Sequence, residues 1–431
     1  MSYFASRVIL IASFLALLIS SSSTSADPGL IGYWTLQGDS KDHSGHGHDG
    51  VNHNVDLDAN EFDGRDSYIE VPDSPALRFG AKDFSVSAWV YTERDVDDVI
   101  GDMVTKFDPA TRKGFNLTIN ASNPGYNSPS NLRNVFFGVD SGTTGKWTDC
   151  GRPGRAHISD ALTVFEGDLY AGTTDGEDES EWAHVFRYRG GQQWEDCGRL
   201  GNDRTRGVYA MIVHEGELYA ATAASHGEQP PEIPFGRVYR YRGGQHWEDI
   251  GQPGENRRLH SLASFNGKLY VAAFNIGDAH GQCYVYEGGQ NWRLCGEFPG
   301  NPHTLTVHDG RLYAAYPQGE VFAYDGSTWE SLGNPLGSTT QCSQIHSQGV
   351  FQGNLYVGTW PLGKVAVWRD GHWTDLGRLG DATEVTALTT YNGCFYAGTI
   401  PRAEVFRFDG PNQWTSIRRL FDPPGFEPVP V

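Results

Sequence analysis

Three histidines stand at one position of a repeat. Counting back seven residues from the glycine of a recurring polar–Gly turn gives Asp160, Tyr209, His260, His303, His346 and Thr386 in six successive copies. Neutral imidazoles suit zinc or another transition metal, so His260, His303 and His346 are the candidate metal ligands if they converge on one axis. A metal there would polarise a substrate carboxylate or carbonyl, with Tyr209 as the base. The other reading is structural: a His repeated on an inner strand hydrogen-bonds to the neighbouring unit.

A second constellation is cationic. Arg152, Arg155, Arg199, Arg204, Arg206, Arg257 and Arg258 crowd the connections that enter the first three copies. Guanidinium forks bind carboxylate or sulfate groups bidentately. Arg155, Arg204, Arg206, Arg257 and Arg258, with Asp160 and Tyr209, are therefore the candidate substrate-binding residues for an acidic ligand. Pairing with local Asp and Glu is the alternative use of the same arginines.

The elements that position these residues are legible in the repeat itself. Glu166-Gly-Asp-Leu-Tyr170, Glu215-Gly-Glu-Leu-Tyr219, Asn266-Gly-Lys-Leu-Tyr270, Asp309-Gly-Arg-Leu-Tyr313, Gln352-Gly-Asn-Leu-Tyr356 and Asn392-Gly-Cys-Phe-Tyr396 each spell a tight turn feeding a strand. A second hairpin follows each, ending at Trp194, Trp247, Trp292, Trp329, Trp373 or Trp414. Four short strands without helical periodicity cannot bury both faces of one sheet, so the units must stack around an axis. The spacing predicts an all-β chain with a six-bladed β-propeller over residues 147–419 and a tail over 420–431. Trp147-Thr-Asp-Cys-Gly151 is a seventh copy of the outermost strand, which leaves seven blades as the alternative. In a propeller the polar–Gly and Gly–Gly turns share one face. The longer connections, the histidines and the arginines share the other.

The N-terminus predicts export. Arg7, the apolar run Val8–Ile19 and the small-residue exit at Ala26 fit a cleaved signal peptide over residues 1–26. No later segment has 18 consecutive apolar residues, so no membrane span is expected after cleavage. The expected location is secreted, extracellular or periplasmic. The formal charge is −20, which opposes nucleic acid as a partner.

Residues 27–146 carry another order of landmarks: the Asp42-His-Ser-Gly-His-Gly turn, Phe62-Asp-Gly64, Val71-Pro-Asp-Ser74 and Ser87-Ala-Trp-Val90. This segment resembles the laminin-G-like jelly roll of the concanavalin A-like lectin/glucanase group, though with fewer strands. The resemblance implies a partial jelly-roll sandwich that binds carbohydrate or protein, sometimes with calcium. Asp39, Asp42 and Asp63 are the candidate calcium ligands, or caps of their own turns.

Six cysteines in an exported chain invite pairing. Cys283 and Cys295 flank a hairpin centred on Gly289 and are the expected disulfide. Asn116-Leu-Thr118 and Asn120-Ala-Ser122 match the N-glycosylation sequon. Together these features predict a secreted recognition protein for acidic carbohydrate or another extracellular ligand. The alternatives are a metal-dependent propeller enzyme such as a polysaccharide lyase, and an extracellular protein–protein scaffold.

Overall fold

The computed structural model describes residues 29–63, 66–80, 82–91, 101–108, 111, 113–120, 134–141, 148–176, 179–223, 234–275, 280–300, 303–316, 318–391 and 393–419. The expected signal peptide, Gly64, Trp147 and the tail after Arg419 lie outside them. Strands dominate, and no α-helix is present among the described residues. No described helix is long and apolar enough to cross a membrane. The chain divides into two compact units, residues 1–86 and 87–431.

In the first unit, β1 (Val51–His53) pairs antiparallel with β2 (Tyr68–Glu70). The Asp42 turn is tight because one carboxylate accepts from the backbone N–H groups of Tyr33, Ser44 and His48 at 2.9–3.0 Å. A sandwich is not formed by the described part of this unit. The Ser87-Ala-Trp-Val90 landmark is not in a ladder, and Trp89 is fully exposed.

The second unit begins with β3 (Gly101–Asp108), β4 (Lys113–Asn120) and β5 (Asn134–Ser141), paired in that order. Six four-stranded antiparallel repeats follow. The first comprises Ala156–Phe165, Asp168–Gly176, His184–Gly190 and Gln193–Arg199. The last comprises Glu384–Tyr391, Cys394–Ile400, Glu404–Gly410 and Gln413–Arg419. The polar–Gly turns have positive φ at both central residues, for example Glu166 (φ 50°) with Gly167 (φ 86°) and Gln352 (φ 47°) with Gly353 (φ 68°). That is the mirror-image turn whose twist matches a hairpin.

Each repeat buries its faces against the next. Separate apolar clusters join the first repeat to the second, second to third, third to fourth, fourth to fifth and fifth to sixth. The first strand of the third repeat, Arg258–Phe265, is buried at every position, as expected of a strand packed on both sides. This is the sheet stacking of a β-propeller. A stitch accompanies it. The indole N–H of Trp247 donates to the Cys197 carbonyl (2.9 Å), Trp292 to Ile250, Trp329 to Cys295 and Trp373 to Leu332 (3.0 Å each).

The same stitch extends upstream. Trp194 of the first repeat donates to the Cys150 carbonyl (2.9 Å), and Gln192 reaches Asp149 (3.0 Å). Residues 148–151 thus stand toward the first repeat as each outermost strand stands toward the next, though they form no ladder. No apolar cluster joins the sixth repeat to the first among the described residues. The turn glycine of the sixth, Gly393, lies on β4 instead. A Cβ there would sit 2.2 Å from the Asn116 side chain, whose amide oxygen accepts from Gly393 N at 3.1 Å. Asn116 is only 1% exposed. The Asn116 sequon is therefore not a surface position of the folded chain.

Candidate functional site: the mouth of the inner strands

The aligned position seven residues before the turn glycine has a structural meaning. The ladder between first and second strands skips Asp160, Tyr209, His260, His346 and Thr386 in five repeats, and in the fifth it also skips Ser343. His303 lies just before the inner strand of the fourth, its N–H bonded to the Ala315 carbonyl (3.0 Å). A bulge re-aims the skipped side chain. Here it brings successive repeats into contact. Ring centroids are 5.3 Å apart for Tyr209 and His260, and 4.9 Å both for His260 with His303 and for His303 with His346.

The three imidazoles therefore form a row, but not a metal cage. Among the described residues no three His, Cys, Asp or Glu are arranged to hold an ion. Their contacts explain why. His260 Nδ1 faces the His303 carbonyl at 3.2 Å. His346 is held between Glu384, through Nδ1, and Gln344, through Nε2 at 2.5 Å. The Nδ1 atoms of His260 and His346 face oxygens of the next repeat. The expected ligands His260, His303 and His346 stand in this structure as an inter-repeat polar row. Tyr209 is wholly buried against His260, with the Arg258 guanidinium 5.6 Å from its ring centre, so the phenol expected as a base is shut away from solvent. Asp160 is half-buried in the same layer.

The arginines behave less uniformly than the sequence suggests. Arg155 pairs with Glu181 (2.9 Å), the local-pairing outcome. Arg206 lies 3.6 Å over the Trp182 ring, and Arg257 lies 4.8 Å over Phe235. Arg258 is buried between Tyr209 and Phe274. Arg204 and Arg152 are exposed. Stacking on an aromatic face leaves the in-plane donors of a guanidinium directed outward. The partners Trp182, Phe235 and Phe274 were not singled out by sequence. Their only signal is an aromatic residue between the second and third strands, or at the end of the second, of the repeat that precedes or contains each arginine. Glu384 and Gln344 stand two residues before Thr386 and His346 in the aligned copies, a spacing that does not say which strands will touch.

The remaining expectations resolve locally. Cys283 and Cys295 are free thiols here. The ladder pairs Cys283 with Gly296 and Tyr284 with Leu294, which leaves Cys295 on a bulge rather than opposite Cys283, and its thiol points to the Cys283 carbonyl (3.2 Å). The expected disulfide is thus not formed. The candidate calcium ligands serve turns: Asp39 accepts from Lys41 N, and Asp63 from Asp66 N and Ser67 N. Partial burial opposes ionisation of Asp42, but hydrogen bonds from Ser44, His48 and Tyr33 hold its carboxyl well below the usual range.

No protein-family model matches the chain, and no curated sequence matches it. Solved structures similar in fold are β-propellers. YCF48 bound to D1 peptide is 16% identical over 58% of this chain and 78% of that one, with a TM-score of 0.41. A catalytically inactive virginiamycin B lyase from Staphylococcus aureus, with quinupristin, is 11% identical over 62% and 86%, TM-score 0.47. Sqt1 from Saccharomyces cerevisiae is 12% identical over 62% and 88%, TM-score 0.41.

Proposed function

We propose that this chain is an exported binding protein that recognises an acidic extracellular ligand, with acidic carbohydrate the preferred class, on the loop-bearing face of its propeller. One observation carries the reading. Arginines on the second to fourth strands of the repeats are matched to acids: Arg240 to Glu217 and Glu248 (2.8 and 2.9 Å), Arg293 to Glu287 (2.5 Å) and Arg311 to Glu330 (3.2 Å). On the loop-bearing side, Arg199, Arg204 and Arg206 have no acidic partner among the described residues, in a chain whose formal charge is −20. In so acidic a protein, guanidinium groups left without carboxylates are the natural seat for carboxylate or sulfate brought by a ligand. We also propose that residues 101–151 act as a further blade between the sixth repeat and the first.

The test is retention on a uronate or sulfated-glycan resin at low salt. A net-negative protein is repelled by such a resin unless a local cationic patch engages it. Wild type is expected to be retained and to elute as salt rises. Arg204→Ser combined with Arg257→Gln is expected to elute earlier. Flow-through of the wild type on both resins overturns the proposal. The second reading, a propeller enzyme such as a polysaccharide lyase, rests on the row of imidazoles alone. Its test is ultraviolet absorbance from unsaturated uronate on incubation with acidic polysaccharide.

A further inference from the structure

At the seam between the first and second repeats, four groups are shielded from solvent with no hydrogen-bond partner among the described residues. They are Nε and Nη2 of Arg199, Nε1 of Trp182 and the Thr174 hydroxyl. The backbone draws them together. Leu200 N donates to the Ala183 carbonyl (2.8 Å), which sets Arg199 and Trp182 side by side. Thr174 pairs across the seam with Gly207, the neighbour of Arg206. Arg206 in turn covers the Trp182 ring at 3.6 Å. Trp182 and Arg206 are themselves half-buried, so the seam reaches the surface.

Among the described side chains, the nearby acids are already committed. Glu181 is taken by Arg155 (2.9 Å), and Asp196 by His184 (3.0 Å) and Gly198 N (2.8 Å). A buried donor without an acceptor costs about 1–3 kcal/mol, more when it is charged. Native structures meet such donors with an ordered water or ion. Two guanidinium groups, an indole N–H and a hydroxyl form a donor set with net positive charge and no acidic partner among the described residues.

We propose that this seam is a binding site for a small oxyanion: the sulfate ester or carboxylate of an acidic sugar, whose oxygens would supply the missing acceptors. The inference rests on the acidic-ligand reading for its natural source but not for the site itself. A planar carboxylate and a tetrahedral sulfate both match an arginine fork, so the experiment separates them.

Calorimetric titration of the full chain with inorganic sulfate, acetate and galacturonate at constant ionic strength tests it. Saturable binding of sulfate or of the carboxylates is expected, and the tighter arm identifies the source. Arg199→Met removes the shielded donors while keeping an apolar stem. Trp182→Phe keeps the stacking surface and removes the N–H. Each is expected to weaken anion binding about ten-fold or more, with Arg293→Ser, on the outermost strand of the third repeat and paired there with Glu287, leaving it unchanged. Absence of saturable binding by wild type overturns the site. So does unchanged anion affinity in both seam variants, and a more stable Arg199→Met with no loss of binding identifies water as the occupant. Retention on acidic glycan that survives both seam variants removes this site and leaves the functional reading. Anion binding at the seam without retention on glycan does the reverse.

Discussion

Glu384 and His346 meet where the fifth and sixth repeats adjoin, both side chains about nine-tenths buried at 11% and 8% relative exposure respectively. A buried imidazole–carboxylate pair contributes little net stability when intact, but losing one member leaves the other poorly solvated. Glu384→Gln and His346→Gln are each expected to cost about 2–4 kcal/mol in urea unfolding. The double variant is expected to cost less than their sum, by a coupling of about 1–3 kcal/mol. Additive losses would show that the contact is incidental. The His position was legible in the sequence because the repeat aligned it, but Glu384 was not. It precedes Thr386 by two residues in another copy, and nothing in a one-dimensional alignment states which neighbouring strands will touch. The same limit hid Trp182 beneath Arg206. Local spacing located the cations, whereas their aromatic partners came from different strands of the array.

The outermost strands are stitched rather than merely packed. Trp292→Phe keeps most of the ring but strands the Ile250 carbonyl, so a loss of about 1 kcal/mol is expected from its urea midpoint. Trp414 is the useful contrast: its indole N–H has no partner among the described residues, and Trp414→Phe is expected to be close to neutral. Equal losses would mean that ring packing, not the hydrogen bond, sets the value. Tyrosines on the second and third strands give the repeats an alkaline limit. Burial, assisted by Glu217, pushes the Tyr219 phenol up to about 12, and burial assisted by Asp249 does the same for Tyr239. A raised folded pKa favours the folded state while the phenol stays neutral. That contribution is complete below the ordinary phenol pKa of about 10 and disappears as pH rises from there through about 12. The urea midpoint should fall across that window, and Tyr239→Phe should flatten the fall. Strand order and turn chemistry were readable because each copy repeats the same apolar alternation and polar–Gly pair. The register of Cys295 was not, since one bulge shifts every later partner by a residue.

As a whole, the chain divides at Val86/Ser87, inside the segment whose landmarks resemble a jelly roll. The strands Gly101–Asp108, Lys113–Asn120 and Asn134–Ser141 belong with the repeats. Their turns lack the polar–Gly signature, which is why the sequence read them as a different domain. The isolated Trp147 motif was the visible trace of that continuity. If residues 101–151 complete the ring, a chain starting at Ser87 should melt cooperatively near the full-length temperature. One starting at Arg152 should lose the carbonyl that Trp194 uses and the β4 surface beneath Gly393, and melt many degrees lower. Identical melting of the two truncations would place that segment outside the array. The bulges on the inner strands carry a further consequence. In five of the six copies the ladder steps past that residue, and in the fourth His303 precedes the strand, so its identity is insulated from strand pairing, and the copies present Asp, Tyr, His, His, His and Thr there. The contact between neighbouring copies can therefore be re-specified at this one position, copy by copy, without re-registering the strands that flank it.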